Sequence, residues 1–116
     1  MAANVISVVD INALQGTVSD GARVVDFITS ESVGANVVAG SAYTLDPERT
    51  LGPFDAGDSF QLFYITDGET VVEYAGDEHK LGVGQGVYCD PRETCTFRNE
   101  SAAPMKFFRF VVADVQ

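Results

Sequence analysis

Two neighbouring carboxylates are the first side chains of this sequence whose types and spacing could support catalysis. Asp55 and Asp58 lie three residues apart in the segment GPFDAGDSF. A pair of carboxyl groups can share general acid and general base roles when their surroundings drive the two pKa values apart. The same spacing is common in solvated acidic turns, so the sequence leaves both a catalytic pair and a surface turn open.

The two cysteines are the other candidate reactive groups. Cys89 and Cys95 flank the peptide DPRET, and a disulfide across this turn is geometrically possible, although disulfides are rare in a reducing cytosol. Cys95 would be a nucleophile if a nearby cation lowered the pKa of its thiol; otherwise it is a small buried hydrophobe. The spacing of the pair does not match a zinc site. His79, in the polar segment GDEHKL, is predicted to be a solvated surface residue.

The elements that would position these side chains are β-strands. Short runs of β-branched and aromatic residues alternate with Gly, Pro and Asp turn residues along the chain. Residues 66–69 have the Asp-Gly signature of a tight hairpin, and residues 75–78 resemble the next turn. The segment DINALQGT is a candidate helix start, with Asp10 or Asn12 as its cap. Strands are predicted at residues 23–29, 36–45, 60–66, 70–74, 79–81, 86–89, 95–98 and 105–112.

Composition limits the class of protein. The chain has 116 residues, of which 46% are hydrophobic, enough for one domain with a single core. Its net charge of −10 comes from 17 acidic and 7 basic residues, which disfavours nucleic acids and anionic membranes as partners. The sequence shows neither an apolar run of membrane-spanning length nor the basic N-terminal region of a secretory signal. We therefore predict a cytoplasmic protein.

The segment GQGVYCDPRETCTFRN resembles the second motif of the cupin family. It begins at Gly84 and ends at Asn99, the positions of the first glycine and the final asparagine of that motif. Cys95 stands at the position of the motif's histidine. Asp90 stands at the proline position and Arg92 at the second glycine position, so the spacing is kept while several residue types differ.

A second segment resembles the first cupin motif. Counting back from Gly68, Gln61 stands at the glutamate position, and Gly57 and Asp55 stand at the two histidine positions. The resemblance covers roughly residues 43–112. It implies an all-β fold, a cupin-like jelly-roll antiparallel β-barrel, in a single domain of residues 1–116. Residues 36–112 would form the barrel core, and residues 1–22 an N-terminal segment that acts as a dimerisation strand or a short helix.

The resemblance also implies where the metal of an ordinary cupin would bind. The residues expected to converge on one interior point are Asp55, Gly57, Gln61 and Cys95. A carboxylate, an amide and a thiol satisfy neither the hard cations that prefer oxygen nor the softer ions that select thiolate. We therefore predict no metal and no other cofactor. The alternative is a metal-dependent cupin enzyme, a dioxygenase or a lyase, that recruits non-standard ligands among Asp55, Asp58, Gln61 and Cys95.

Aromatic residues dominate the predicted interior. Strand alternation places Gln61 with Phe63 on one face, and Cys95 with Phe97 on one face. Together with Tyr43, these side chains would line a mostly apolar cavity suited to a small organic ligand. The alternative is that the rings fill the core and leave no cavity.

The predicted pocket contains no basic residue, so a strongly anionic ligand is not expected. Arg23 or Arg109 would change this expectation only if the face of its strand were misassigned. We predict a metal-independent cupin-like protein that binds a small, mostly apolar organic molecule. Whether it is an enzyme is left open. A lyase, cyclase or isomerase would work through Asp, Tyr or Gln side chains, with Asp55, Asp58 and Cys95 as the candidate catalytic residues.

A further alternative is a non-catalytic accessory or interaction subunit beside a partner enzyme. Cupins commonly dimerise through their N-terminal strands, and the apolar residues 5–9 could serve that purpose. The resemblance therefore implies a homodimer.

Overall fold

Ten β-strands form the part of the chain that the computed structural model describes, which is residue 14 and residues 16–19, 21–29 and 37–113. No helix long and apolar enough to cross a membrane occurs in that part of the chain. The strands, in chain order, are β1 (Thr17–Ser19), β2 (Ala22–Thr29), β3 (Val37–Leu45), β4 (Thr50–Asp55), β5 (Phe60–Asp67), β6 (Glu69–Tyr74), β7 (Asp77–Gly82), β8 (Gly86–Cys89), β9 (Thr94–Arg98) and β10 (Met105–Val112).

These strands form two antiparallel sheets, and the all-β prediction is confirmed. One sheet has the order β1-β2-β3-β10-β5-β8 and the other the order β4-β9-β6-β7. Among the described strands, hydrogen bonding does not continue from one sheet into the other, so the molecule is a jelly roll of two facing sheets rather than a closed barrel.

The N-terminal predictions lie largely outside the described residues. Residues 10–13 and 15 of the candidate helix and the apolar residues 5–9 are not described. Within residues 1–22, the short strand β1 pairs with β2 of the same chain, Val18 opposite Arg23.

The Asp-Gly sequence after β5 does not form the predicted hairpin. β5 pairs with β10 and β8, whereas β6 pairs with β7 and β9, so the chain passes from one sheet to the other at Gly68. Gly68 has a φ of 76°, and a Cβ there would lie 3.0 Å from Pro104 O. Both the positive φ and the close backbone require glycine. The next turn is a true hairpin, with Tyr74 opposite Asp77 across two residues of positive φ.

Strand β4 was not predicted, because Gly52 and Pro53 in its middle indicate a loop. The chain nevertheless pairs with β9, with an irregular register between Leu51 and Phe54. β4 is an edge strand, where a proline without an N–H can be tolerated. β4 matters for the interior because it carries the buried ring of Phe54.

Aromatic rings fill the space between the sheets. Phe97 and Phe107 stack with centroids 4.4 Å apart, and Phe107 also stacks on Tyr43 at 4.9 Å. Phe54 lies among them, 5.2 Å from Tyr43 and 5.3 Å from Phe63. Contacts of this kind stabilise through apolar burial and ring geometry together. The core therefore has its centre where the predicted ligand cavity was expected.

Asn99, the last residue of the second motif, organises the connection between β9 and β10. Its side chain is fully buried, and Nδ2 donates to Leu45 O at 3.0 Å and to Ala103 O at 2.8 Å. Its Oδ1 accepts from the backbone N and the hydroxyl of Ser101. The amide thus satisfies the carbonyl of the last residue of β3, together with one carbonyl and two donors of the irregular segment between β9 and β10.

We expect Asn99→Ala to lower the free energy of unfolding by about 2 kcal/mol, because buried carbonyls lose their donors. Urea denaturation measures the change. Ser101→Ala is the matched control and should cost less than about 1 kcal/mol, since its hydroxyl is only partly buried. Equal losses in the two variants would contradict the assigned role of the amide.

Candidate functional site

The buried amide of Gln61 is the centre of the candidate site. Gln61 lies on β5, is 1% exposed and faces the opposite sheet. Its Nε2 donates to Phe54 O at 3.2 Å and to Glu93 O at 3.3 Å. Both carbonyls belong to the other sheet or to its border, one on β4 and one just before β9. A single side chain therefore ties the two sheets together.

Arg109 takes the remaining capacity of this amide. Its Nε and Nη2 donate to Gln61 Oε1 at 2.9 and 2.7 Å. The guanidinium carbon lies 5.0 Å from the centroid of the Phe54 ring and 6.0 Å from that of Phe63, within the range of cation–π attraction. Donors and acceptors of Gln61 are thus all used by protein groups.

The inward direction of Arg109 corrects the expectation that the interior holds no basic residue. On β10, Met105, Phe107 and Val111 are buried, and Arg109 has the same parity and is partly buried. The alternation in MKFFRFVV is the signal in the sequence that groups Arg109 with these three residues. Arg23 is exposed, in agreement with the expectation for that residue.

Two more polar residues share the row of Arg109 across the first sheet. Arg109 lies opposite Ser41 on β3, and Ser41 lies opposite Asp26 on β2. The Ser41 hydroxyl, which is buried, donates to Asp26 Oδ1 at 2.6 Å. Sequence reasoning missed both residues, because nothing in a strand pattern tells which distant strands become neighbours. The Gln61–Arg109 site is defined here as Gln61, Arg109, Ser41 and Asp26.

The two thiols lie beside this site, deep in the interior. Cys89 is opposite Gln61 and Cys95 is opposite Phe54; both are free and buried. The thiol of Cys95 is hydrogen-bonded to Cys89, and this contact, followed by burial, raises the pKa of Cys95. The same contact lowers the pKa of Cys89, against the effect of burial. A raised pKa disfavours the thiolate that a nucleophile requires.

The acidic loop predicted as a catalytic pair lies on the surface. Asp55 is exposed and accepts from the backbone N of Gly57 at 2.8 Å, and Gly57 is exposed as well. Asp58 forms an ion pair of 2.8 Å with Arg92 in which both side chains are 80% exposed. Of the four positions expected to converge, the structure brings together Gln61 and Cys95. His79 is exposed on β7.

The residues predicted to line a cavity come together, but as packed core. The members of this group, all buried, are Tyr43, Gln61, Phe63, Cys95 and Phe97. Phe54 occupies the space between them, 5.8 Å from Phe97. This packing agrees with the alternative in which the rings fill the core, whereas Arg109 and Asp26 reach solvent.

The residues of the site do not fit the metal of an ordinary cupin. The described residues contain no group of three or more His, Cys, Asp or Glu side chains placed to hold a metal ion. The amide oxygen of Gln61 is covered by a guanidinium, and a positive charge beside a ligand atom opposes a second cation. Apart from that oxygen, the site offers one carboxylate, that of Asp26, and no histidine, which is too few ligands for an ordinary cupin metal.

A family model for the cupin domain matches residues 42–112. The chain belongs to the cupin family. The matched residues include both motif segments, which run from Asp55 to Gly68 and from Gly84 to Asn99, and the strand that carries Arg109. A search of the curated proteins found no match.

Solved structures similar to this cupin share its fold at low sequence identity. A predicted oxalate decarboxylase from Thermotoga maritima has a TM-score of 0.84 and 17% identity, over 92% of this chain and 99% of that chain. The polyketide cyclase RemF from Streptomyces resistomycificus has a TM-score of 0.78 and 12% identity, over 95% and 81%. A sugar phosphate isomerase from Silicibacter pomeroyi has a TM-score of 0.73 and 16% identity, over 91% and 75%.

Proposed function

We propose that this cupin is a metal-independent protein that binds a small organic molecule at the Gln61–Arg109 site. The observation that carries the proposal is the contact at Gln61 Oε1, which accepts from both Nε and Nη2 of Arg109. In the family motif the corresponding glutamate oxygen would bind the metal. Here the guanidinium of Arg109 contacts the corresponding oxygen of Gln61.

The surroundings of this contact favour the same conclusion. Rotating the amide towards a metal would break its bonds to Phe54 O and Glu93 O and leave buried carbonyls without donors. The hydrogen bond to Cys89 raises the pKa of Cys95, which stands at the histidine position, and so disfavours the thiolate form that binds a metal. A bound divalent ion would also lie close to the charge of Arg109.

Binding is the part of the function that the geometry supports best. Among the similar structures, one is named as a polyketide cyclase and one as a sugar phosphate isomerase, so lyase, cyclase or isomerase chemistry remains a prediction for this chain. The carboxylate of the site is that of Asp26, which accepts a hydrogen bond from Ser41. A role as an accessory subunit, a homodimeric state and a cytoplasmic location also remain predictions.

Metal analysis of the untagged protein tests the proposal. We expect mass spectrometry to find far less than one transition-metal ion per chain, and chelator to leave the thermal midpoint unchanged, since a ligand that binds only the folded state would raise it. The Gln61→Glu variant should also be free of metal, because Arg109 would pair with the new carboxylate. A stoichiometric metal whose removal lowers the midpoint would overturn the proposal.

A further inference from the structure

Arg109 has hydrogen-bond donors that the described residues leave unused. A guanidinium donates from Nε, Nη1 and Nη2, and Gln61 Oε1 accepts only from Nε and Nη2. Nη1 and the second hydrogen of Nη2 form the end of the guanidinium, with two parallel N–H bonds. Arg109 forms no ion pair with a carboxylate of the described residues. Arg92 and Arg98, which do form ion pairs, lie nearer the surface.

A partly buried cation without an anionic partner is costly for the folded protein. Withdrawing a charge from water is unfavourable unless an opposite charge or full hydrogen bonding offsets it. The chain has 17 acidic residues, yet the row around Arg109 places Ser41 rather than a carboxylate directly opposite it. Among the described residues no carboxylate therefore pairs with Arg109, and an anionic ligand would supply the missing charge.

The guanidinium is also held in place before any ligand arrives. Gln61 binds one edge of it, and the amide of Gln61 is itself fixed by carbonyls of β4 and of the residue before β9. The ring of Phe54 lies against the guanidinium carbon at 5.0 Å. A fixed, planar pair of donors matches the two oxygens of a carboxylate, and its rigidity lowers the entropy lost on binding.

The neighbouring side chains on the same face describe the rest of the ligand. One residue row further along, β10 presents Val111, which is buried, and β3 presents Ala39 opposite it. Ser41, which carries a hydroxyl, lies directly opposite Arg109 on β3. The hydroxyl already donates to the carboxylate of Asp26, whose charge would repel a polyanion. The remaining neighbours offer apolar contact and suit a compact, largely apolar body with a single anionic group.

We propose that the ligand is a small organic acid whose carboxylate forms a bidentate ion pair with the Nη1 and Nη2 end of Arg109. This inference rests on the proposed function and names its ligand class. It keeps the mostly apolar body that the sequence predicted for the ligand and adds one anionic group, because Arg109 faces the interior.

Benzoate and its neutral analogue benzamide are the probes that test this inference. Titration is followed through the side-chain Nε–Hε resonance of Arg109 in ¹H–¹⁵N spectra of the full chain. We expect benzoate to shift this resonance saturably and to bind at least about tenfold more tightly than benzamide, because charge-assisted bidentate bonds are stronger than neutral ones. The resonance is assigned by its loss in Arg109→Lys.

Three variants separate the role of Arg109 from general charge effects. Arg109→Gln keeps a donor for Gln61 Oε1 and should lose the preference for benzoate, as measured through backbone amides of β10. Arg109→Lys keeps the charge without the planar fork and should bind benzoate several-fold more weakly. Arg23→Gln, which removes an exposed arginine from β2 of the same sheet, should bind as the unmodified chain does.

Equal binding of benzoate and benzamide, or unchanged benzoate binding in Arg109→Gln, would overturn the inference while leaving the proposed small-molecule function in place. No saturable shift up to the solubility limit of benzoate would overturn it too. A failure of the proposed function itself would be recognised separately, because the metal analysis would then find a stoichiometric metal.

Discussion

The Gln61→Leu variant is expected to lose about 3 kcal/mol of unfolding free energy, although leucine fits the volume of the buried amide closely. The change leaves Phe54 O and Glu93 O without their donor and removes the acceptor of Arg109. Because the amide joins the two sheets, the loss falls on the contact between them. Equilibrium denaturation in urea, followed by tyrosine fluorescence and circular dichroism, measures it.

Gln85→Leu is the matched control for this substitution. Gln85 Oε1 accepts from the backbone N of Gly82 at 2.8 Å, but the contact is exposed, so water can replace it. We expect a cost below about 1 kcal/mol. If Gln61→Leu proved as stable as the unmodified chain, the amide would contribute no net stabilisation and its hydrogen bonds would not explain why a polar group is buried there.

Phe107→Ala is expected to have the largest effect, a loss of about 4 kcal/mol. The Phe107 ring is fully buried and stacks on Phe97 at 4.4 Å and on Tyr43 at 4.9 Å. It also meets the edge of Phe54 at 6.0 Å. Removing it takes away the transfer free energy of the ring and leaves a cavity that its rigid neighbours cannot close. Thermal and urea denaturation measure the change.

Two control variants identify the cause of that loss. Phe107→Leu keeps most of the volume and should cost about 1 kcal/mol, since the core can repack around it. Tyr64→Ala removes an aromatic residue from the outer face of β5, where it is 47% exposed, and should change stability by less than about 1 kcal/mol. A loss in Phe107→Ala no greater than that in Tyr64→Ala would contradict the central position of the Phe107 ring.

The strand pattern of the sequence was sufficient to predict most strands of the two sheets. Eight strands were predicted near their observed positions because β-branched and aromatic runs end at Gly, Pro and Asp. β4 was missed because Gly52 and Pro53 indicate a loop in isolation, and only its pairing with β9 makes the segment a strand. The hairpin at Gly68 was wrong for a related reason, since the turn residue does not specify which sheet the next strand joins.

The candidate site was predicted in part. Motif spacing identified Gln61 and Cys95 as interior residues, and both are buried. Alternation along β10 was enough to group Arg109 with Phe107 and Val111, but not to show that this was the inward face. Asp26 and Ser41 gave no signal, because their proximity to Arg109 depends on the register of three strands.

The sequence by itself determined that this protein is all-β, that it has the spacing of the cupin motifs, and that it lacks the histidines and glutamate of a usual metal site. Only the tertiary structure could show that the amide oxygen of Gln61 accepts hydrogen bonds from the guanidinium of Arg109. Local patterns report the period of a strand, which is fixed by backbone geometry within a few residues. The partner of a buried polar group is fixed by pairing between strands far apart in the chain: Gln61 and Arg109 are 48 residues apart.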